Sequence, residues 1–275
     1  MTAVMQKRVH LGHGTTDYVE AGTGYPVIML HGPTFFMGGI DWLPCIDYVA
    51  AKYRVLAPDF PGWGTGDTYP GMDTFPALVD FVREFQDALS ITSSHIVGRS
   101  MGGWIAGLLC YESPHRVSKC IQTAHHGFNA PLDYETLHQG MANYDQPPSD
   151  EAARAWVLDV SKNANIDLEP ILKDRLLKLH DPAWVSAFRD IMHSLGNRER
   201  RTRYSFTGRR YALTTVPTLF LMGDHDKEHM AAFEEADVIN RLPGSRMTVM
   251  NGSGHRPHID EPELFSRYVL DFLDE

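Results

Sequence analysis

The sequence predicts an α/β protein: a mainly parallel sheet with helices on both faces and a helical insertion. Three observations predict it. Short β-rich runs alternate with stretches of helical periodicity. Several of those runs are continuously apolar, as strands covered on both faces require. One long segment, 129–210, carries helical patterns and no strand, so it reads as an insertion into a core formed by 1–128 and 211–275. With 275 residues, 43% of them hydrophobic, the chain suits one large domain with such an elaboration.

In chain order, Thr15–Glu20, Pro26–Leu30, Tyr53–Ala57, Ser94–Val97, Val117–Thr123, Pro217–Met222 and Arg246–Met250 read as strands. Thr74–Leu89 is helical by the spacing of Leu78, Val79, Val82, Phe85 and Leu89. Met101–Tyr111 is apolar all round, the mark of a buried helix. Pro262–Leu273 repeats Leu264, Phe265, Tyr268, Val269 and Phe272 at helical spacing and closes the fold. Inside the insertion, Glu151–Ser161, Leu168–Leu179 and Ala183–Leu195 read as helices, punctuated by QPPSD and the basic run NRERRTR. Placed above the strand C-termini, where open α/β sheets bind ligands, the insertion is expected to cap a site.

A net charge of −10 repels phosphate backbones and anionic lipid. Nucleic-acid and membrane partners are therefore not expected; a small molecule is. No apolar run approaches the ~18 residues of a membrane span, and MTAVMQKRVHLGHG has no signal-peptide core. Cys45, Cys110 and Cys120 are odd in number and show no ligand spacing. The expectation is a reduced, cytoplasmic protein without cofactor; homo-oligomerisation is compatible with it.

The chemistry concentrates at VGRSMGGWIAG. Gly98-Arg99-Ser100-Met101-Gly102 places a serine between two glycines where a strand meets a buried helix, the pattern of a nucleophile elbow. The sharp turn lifts the hydroxyl clear of the backbone, and the N–H of Met101 can bind an oxyanion. Serine needs a base at neutral pH. Among 14 histidines, His255 stands in a glycine-rich loop after a strand, in NGSGHRPHIDEPELF; His258, the competitor, is expected to begin the last helix. The orienting acid is expected at Asp226 in GDHD, with Asp224 as the fallback. Ser100, Asp226, His255 is the Ser–acid–His chain order of this architecture. A second oxyanion donor is expected after His31-Gly32, in Pro33-Thr34-Phe35; Pro33 itself has no N–H to give.

With these elements in place the chain resembles the α/β-hydrolase superfamily over almost its whole length. HG (31–32), PDFPGWGTGD (58–67), GRSMGG (98–103), GDHD (223–226) and SGHRPHIDEPELF (253–265) fall in the family's order. The resemblance implies an eight-stranded sheet with the cap inserted after the sixth strand. Serine at the elbow argues against the haloalkane dehalogenases and epoxide hydrolases of this fold, which carry aspartate there. The nearest group is the meta-cleavage-product hydrolases, which cut a carbon–carbon bond in ring-fission dienoates from aromatic breakdown. In that group a cap arginine reads the substrate carboxylate, which implies that role for Arg175. The group usually has tryptophan after the catalytic histidine, where this chain has Arg256, and a glycine-rich oxyanion loop, where this chain has Pro33.

Other candidates are weaker. His125 and His126 follow the sixth strand and face the expected cap; Phe35, Phe36, Met37, Trp156, Trp184 and Phe188 are pocket-lining or core aromatics and methionine. His225, Asp226 and His229 fit no zinc spacing, so no metal is expected. Gly62–Gly66 lacks the lysine of a phosphate loop and reads as a tight structural turn. A serine hydrolase of a small organic molecule is thus expected, carbon–carbon bond cleavage being favoured over ester or lactone hydrolysis. A ligand-binding protein or a cofactor-free oxygenase on the same scaffold are the competing classes.

Overall fold

The computed structural model describes residues 3–12, 14–34, 36–125, 127, 145–162, 166–205 and 208–275. Phe35, His126 and the first part of the insertion, 129–144, lie outside them.

Eight strands form a single sheet: β1 (Met5–Leu11), β2 (Gly14–Ala21), β3 (Pro26–Leu30), β4 (Arg54–Pro58), β5 (Ser94–Arg99), β6 (Val117–Thr123), β7 (Thr218–Gly223) and β8 (Ser245–Met250). Their order is β1-β2-β4-β3-β5-β6-β7-β8. β1 and β2 run antiparallel, β2 is antiparallel to β4, and the remaining pairs are parallel. β3, β5 and β7 are buried almost throughout because they lie inside the sheet with helices against it.

β1 was not expected from sequence. MQKRVHL buries only Val9 fully, so this edge strand shows no apolar run. Its hydrogen bonds go to β2 alone, which is why pairing, not hydrophobicity, defines it.

The helices of the core are α1 (Leu43–Ala50), α2 (Phe75–Ala88) and α3 (Met101–Glu112). α2 starts at Thr74, whose hydroxyl accepts from the Ala77 N–H at 3.3 Å, and buries Leu78, Val79, Val82 and Phe85. α3 is buried from Met101 to Cys110 and packs against β5 and β6. The insertion between β6 and β7 contributes α4 (Asp150–Val160), α5 (Leu168–Leu179), α6 (Pro182–Gly196), α7 (Arg198–Tyr204) and α8 (Gly208–Leu213). α7 corrects the reading of NRERRTR as punctuation: Asn197 caps it by accepting from the Arg200 N–H at 3.1 Å. After β7 come α9 (Lys227–Glu235) and α10 (Val238–Arg241); after β8 come α11 (Pro257–Asp260) and α12 (Pro262–Asp274), which packs on α1. His258 therefore belongs to its own short helix and not to the last one. Among the described residues no helix is long and apolar enough to cross a membrane.

Parallel strands all end at one edge, and β5, β7 and β8 deliver Ser100, Asp226 and His255 there. This is the edge where such sheets bind ligands.

Candidate active site

β5 ends in a turn that only small flanking residues permit. Ser100 holds φ 54° and ψ −120°, a left-handed backbone that a side chain rarely adopts. A Cβ on Gly98 would overlap the Gly102 carbonyl, and one on Gly102 would overlap that of Leu30. The strained turn is fixed by two hydrogen bonds: the Ser100 N–H donates to Thr123 O at 2.9 Å, and the Trp104 N–H to Ser100 O at 3.1 Å. Met101 opens α3, so its N–H is one of the helix-start donors without an intrahelical acceptor.

The acid and the base meet across two loops. His255 Nδ1 donates to Asp226 Oδ2 at 3.2 Å. Asp226 is buried, yet its carboxyl stays well below the usual range: burial pushes it up, and hydrogen bonds from His229 and His255 more than offset that. The His255 imidazole is pulled below its ordinary value by burial, with Asp226 acting in the opposite direction. It is therefore a neutral base near pH 7. Among the described contacts no hydrogen bond joins Ser100 to His255. Such contacts are often long in the absence of substrate.

Asp224, the fallback acid, is occupied elsewhere. Its Oδ1 accepts from the Gly252 and Ser253 N–H groups at 2.8 and 3.2 Å and shapes the loop that presents His255. His258 is also excluded as the base: it is fully buried, 3.6 Å from Asp41 and stacked near Trp42.

Sequence reasoning gave no role to Arg99 and weighed His229 only as a metal ligand. His229, three positions after Asp226, donates from Nδ1 to Asp226 Oδ1 at 2.7 Å, so both oxygens of the acid hold an imidazole. Arg99 is buried in the elbow and pairs with Asp41 at 2.6 Å. A Cβ on Gly32 would lie 2.6 Å from the Arg99 guanidinium carbon, so the cation sits directly under the loop that follows β3. The signals were legible: an arginine at the end of an otherwise apolar strand demands a buried acid, and a histidine at i+3 shares a helix face.

The oxyanion loop needs correction. The Thr34 N–H already donates to Gly32 O at 2.9 Å and is not free for a ligand. With Pro33 lacking an N–H, the Thr34 hydroxyl is one donor that the described part of the loop still carries; Phe35 lies outside the described residues. His31 is fully buried, with its Nε2 accepting from the Phe60 N–H at 3.0 Å and its Nδ1 2.7 Å from Gly32 O.

Three expected ligand contacts are likewise redirected. Arg175 is 2% exposed; its guanidinium donates to both Asp59 oxygens, at 3.1 and 3.2 Å, and to the Phe36 and Met37 carbonyls. Its charge is spent fastening α5 to the core, so it has none to offer a substrate carboxylate. His125 is buried with both nitrogens engaged, by Gln122 at 2.8 Å and the Gly127 N–H at 2.9 Å, and burial pulls it down to about 3. Trp184 stacks on Phe188 at 5.6 Å, which meets Trp63 at 5.5 Å edge-on; all are core. Arg256 fares differently. It is half-buried beside His255, its guanidinium lies 4.7 Å from the Trp156 ring, and no carboxylate pairs with it among the described residues.

His225 is exposed and lies 3.9 Å from Asp224, outside any cluster. Asp226, His229 and His255 do converge, one ligand atom of each within 4.8 Å of the others.

Comparison with known proteins agrees with this geometry. The family described as the alpha/beta hydrolase family matches residues 27–267. A 2-hydroxy-6-oxononadienedioate/2-hydroxy-6-oxononatrienedioate hydrolase of Cupriavidus pinatubonensis is 31% identical, covering 90% of this chain and 86% of its own. A carboxylesterase of Bacillus subtilis is 24% identical over 94% of this chain and 84% of its own. Among solved structures, a serine hydrolase from the polyaromatic-hydrocarbon-degrading bacterium Cycloclasticus zankles superposes with TM-score 0.77 at 22% identity, covering 99% and 98% of the two chains. The 2-hydroxy-6-oxo-6-phenylhexa-2,4-dienoate hydrolase of a Rhodococcus strain gives TM-score 0.76 at 21% identity over the full length of both. At these identities the structural likeness carries the fold.

Proposed function

The chain belongs to the alpha/beta hydrolase family, and from that premise we propose that it cuts a carbon–carbon bond in a small acidic ring-fission dienoate through Ser100, His255 and Asp226. The observation that carries the triad is the Asp226–His255 hydrogen bond at the same sheet edge as the strained Ser100 elbow. Preference for the carbon–carbon bond is supported by the 31% identical dienedioate hydrolase.

The chemistry follows from the groups present. The Ser100 hydroxyl attacks the ketone carbon while His255 Nε2 takes its proton; Asp226, held on Nδ1–H, fixes that tautomer. The Met101 N–H and the Thr34 hydroxyl face the developing oxyanion. Before attack the dienol ketonises, its hydroxyl proton passing to the carbon beside the ketone that is attacked; collapse then breaks the bond to that carbon, and the fragment leaves as a conjugated enolate that takes the proton from His255. Water, deprotonated by His255, then frees the acid from Ser100. In total one water is consumed and two smaller molecules leave. The inserted helices close over the site, with α4 presenting Trp156 to Arg256. We assign the reading of the substrate carboxylate to Arg256, because Arg175 is already neutralised by Asp59.

The test is a paired rate assay of the protein and its Ser100→Ala variant on a coloured ring-fission dienoate and a short p-nitrophenyl ester. The expected result is preferential loss of the dienoate, falling by about a thousandfold or more in the variant. Preference for the ester moves the protein beside the carboxylesterase. Equal turnover by the variant removes Ser100 from the reaction.

A further inference from the structure

The second imidazole on Asp226 has no task in the reaction above, yet it completes a donor set. Asp226 and His229 stand at i and i+3 at the start of α9 and therefore share a face. His255 reaches the same carboxylate from the loop after β8. The rings of His229 and His255 lie 4.5 Å apart between centroids, inclined by 35°. The two imidazoles and the carboxylate place one ligand atom each within 4.8 Å of the others. The side chains of Asp226 and His229 are 7% and 11% exposed, whereas that of His255 is 38% exposed, so the cluster opens on one side only.

Two histidine nitrogens and a carboxylate oxygen, with a fourth position free for water, is the donor set that zinc takes in open sites. Tetrahedral bonds of about 2.0–2.1 Å put ligand atoms roughly 3.4 Å apart. The other groups facing the cluster are His125, on which the His229 charge acts, and Arg99, whose charge reaches His255 but is balanced by Asp41.

We propose that Asp226, His229 and His255 form an inhibitory site for a borderline transition-metal cation, Zn2+ being the representative. The mechanism of inhibition is a tautomer switch. In the metal-free protein His255 carries its proton on Nδ1, facing Asp226, and presents the Nε2 lone pair for the serine proton. Ligation through Nδ1 forces that proton onto Nε2. The ring then shows an N–H where the reaction needs an acceptor, and catalysis stops without the cation entering the substrate pocket. The inhibition rests on the triad proposed above; the binding does not.

The experiment separates the two. Co2+ is added to the full chain as a spectroscopic probe, Zn2+ affinity is measured by competition with a chromogenic chelator, and turnover is assayed with and without Zn2+. The expected result is visible absorption of a tetrahedral Co2+ site, displaced by Zn2+, and a fall in kcat at unchanged KM. His229→Gln weakens Zn2+ binding by more than about tenfold, since even outer partners of a metal ligand are worth that much, and its kcat no longer responds to Zn2+. His225→Ala, which alters an exposed neighbour, retains both responses. His255→Gln, assayed for binding alone, loses the Co2+ signal and serves if His229→Gln does not fold. Absence of the Co2+ bands, or binding that survives His229→Gln and disappears in His225→Ala, overturns the site. Tight, His229-dependent binding with unaltered turnover keeps the site and overturns the role of His255 in the reaction.

Discussion

Arg175–Asp59 and Arg99–Asp41 are both arginine–aspartate pairs with side chains no more than 3% exposed, yet their carboxylates are served differently. Asp59 accepts from Arg175 on both oxygens and also from the Gly39 and Thr65 N–H groups, at 2.7 and 2.9 Å. Asp41 accepts from Arg99 on one oxygen, has His258 3.6 Å away, and its other oxygen has no partner among the described residues. The first pair is a saturated fastening between α5 and the core. The second is an unsaturated charge beneath the oxyanion loop, with neutral imidazoles alongside. A buried ion pair is thus not one kind of object: its effect depends on what else its acid holds.

The largest expected effect breaks the saturated pair. Arg175→Met leaves Asp59 buried without its cation, which costs about 3–5 kcal/mol. Thermal unfolding should show the loss, and adding Asp59→Asn should restore part of it. KM should shift equally for an acidic dienoate and a neutral ester. A selective rise for the acid would return Arg175 to the substrate.

That arginine also marks the limit of what the chain reveals as text. The parallel strands were legible because burial on both faces writes an apolar run into the sequence, as in PVIML. The elbow was legible because its two glycines are demanded by backbone contact. β1 was not, since an edge strand needs only a partner's hydrogen bonds. Arg175 and Asp59 are 116 positions apart, and Arg99 and Asp41 are 58 apart. Nothing local in either segment says which distant acid will neutralise which arginine. The sequence pattern therefore picked out Ser100, Asp226 and His255, which the fold brings to one sheet edge, whereas the resemblance assigned the cation of the insertion to a ligand and folding assigns it to Asp59.

Acid acts through the buried histidines. His31, on which the charges of both Asp59 and Asp41 act, is fully buried, and burial pulls it down to about 4 from its ordinary 6.5. A histidine depressed in the folded state contributes stability that is complete above its unfolded value and is lost as pH falls toward the folded one. From this one group the loss amounts to about 3 kcal/mol by about pH 4. His258 adds in the same direction, lowered chiefly by burial. Denaturant titrations from about pH 7 to pH 4 should fall along this limb, and His31→Gln should flatten it. An unchanged limb in that variant would mean that the acid sensitivity does not come from His31.

Arg99→Met tests the unsaturated carboxylate directly. With the cation gone, His258 is the neighbour able to compensate Asp41. Its folded value then rises above the unfolded one, so the stability it adds is present at low pH and lost as pH rises. The deficit of this variant relative to the parent should therefore shrink by about 1–2 kcal/mol between about pH 8 and pH 6, the equivalent of roughly one pKa unit. Arg175→Met should recover less, because His31, the histidine on which the Asp59 charge acts, has both ring nitrogens engaged by Gly32 O and the Phe60 N–H. Parallel pH profiles for the two variants would mean that His258 does not exchange roles with Arg99.

The smallest effect concerns the arginine that belongs to neither pair. Arg256 leans on Trp156, and Trp156 meets Phe36 edge-on at 6.0 Å, so the cation stands where the loop of the base meets the inserted helices. A half-exposed cation against an aromatic face contributes about 0.5–1 kcal/mol, and Arg256→Gln should change stability by no more than that. A charged hydrogen bond to a ligand is worth about 1.5 kcal/mol or somewhat more, so KM for an acidic dienoate should rise about tenfold while a neutral ester is unaffected. The contrast with Arg175→Met is then complete in sign as well as size. One arginine governs folding without discriminating between substrates, and the other discriminates with little effect on folding. Equal KM shifts in Arg256→Gln would leave the substrate carboxylate without a reader on this chain and would favour the ester as its substrate.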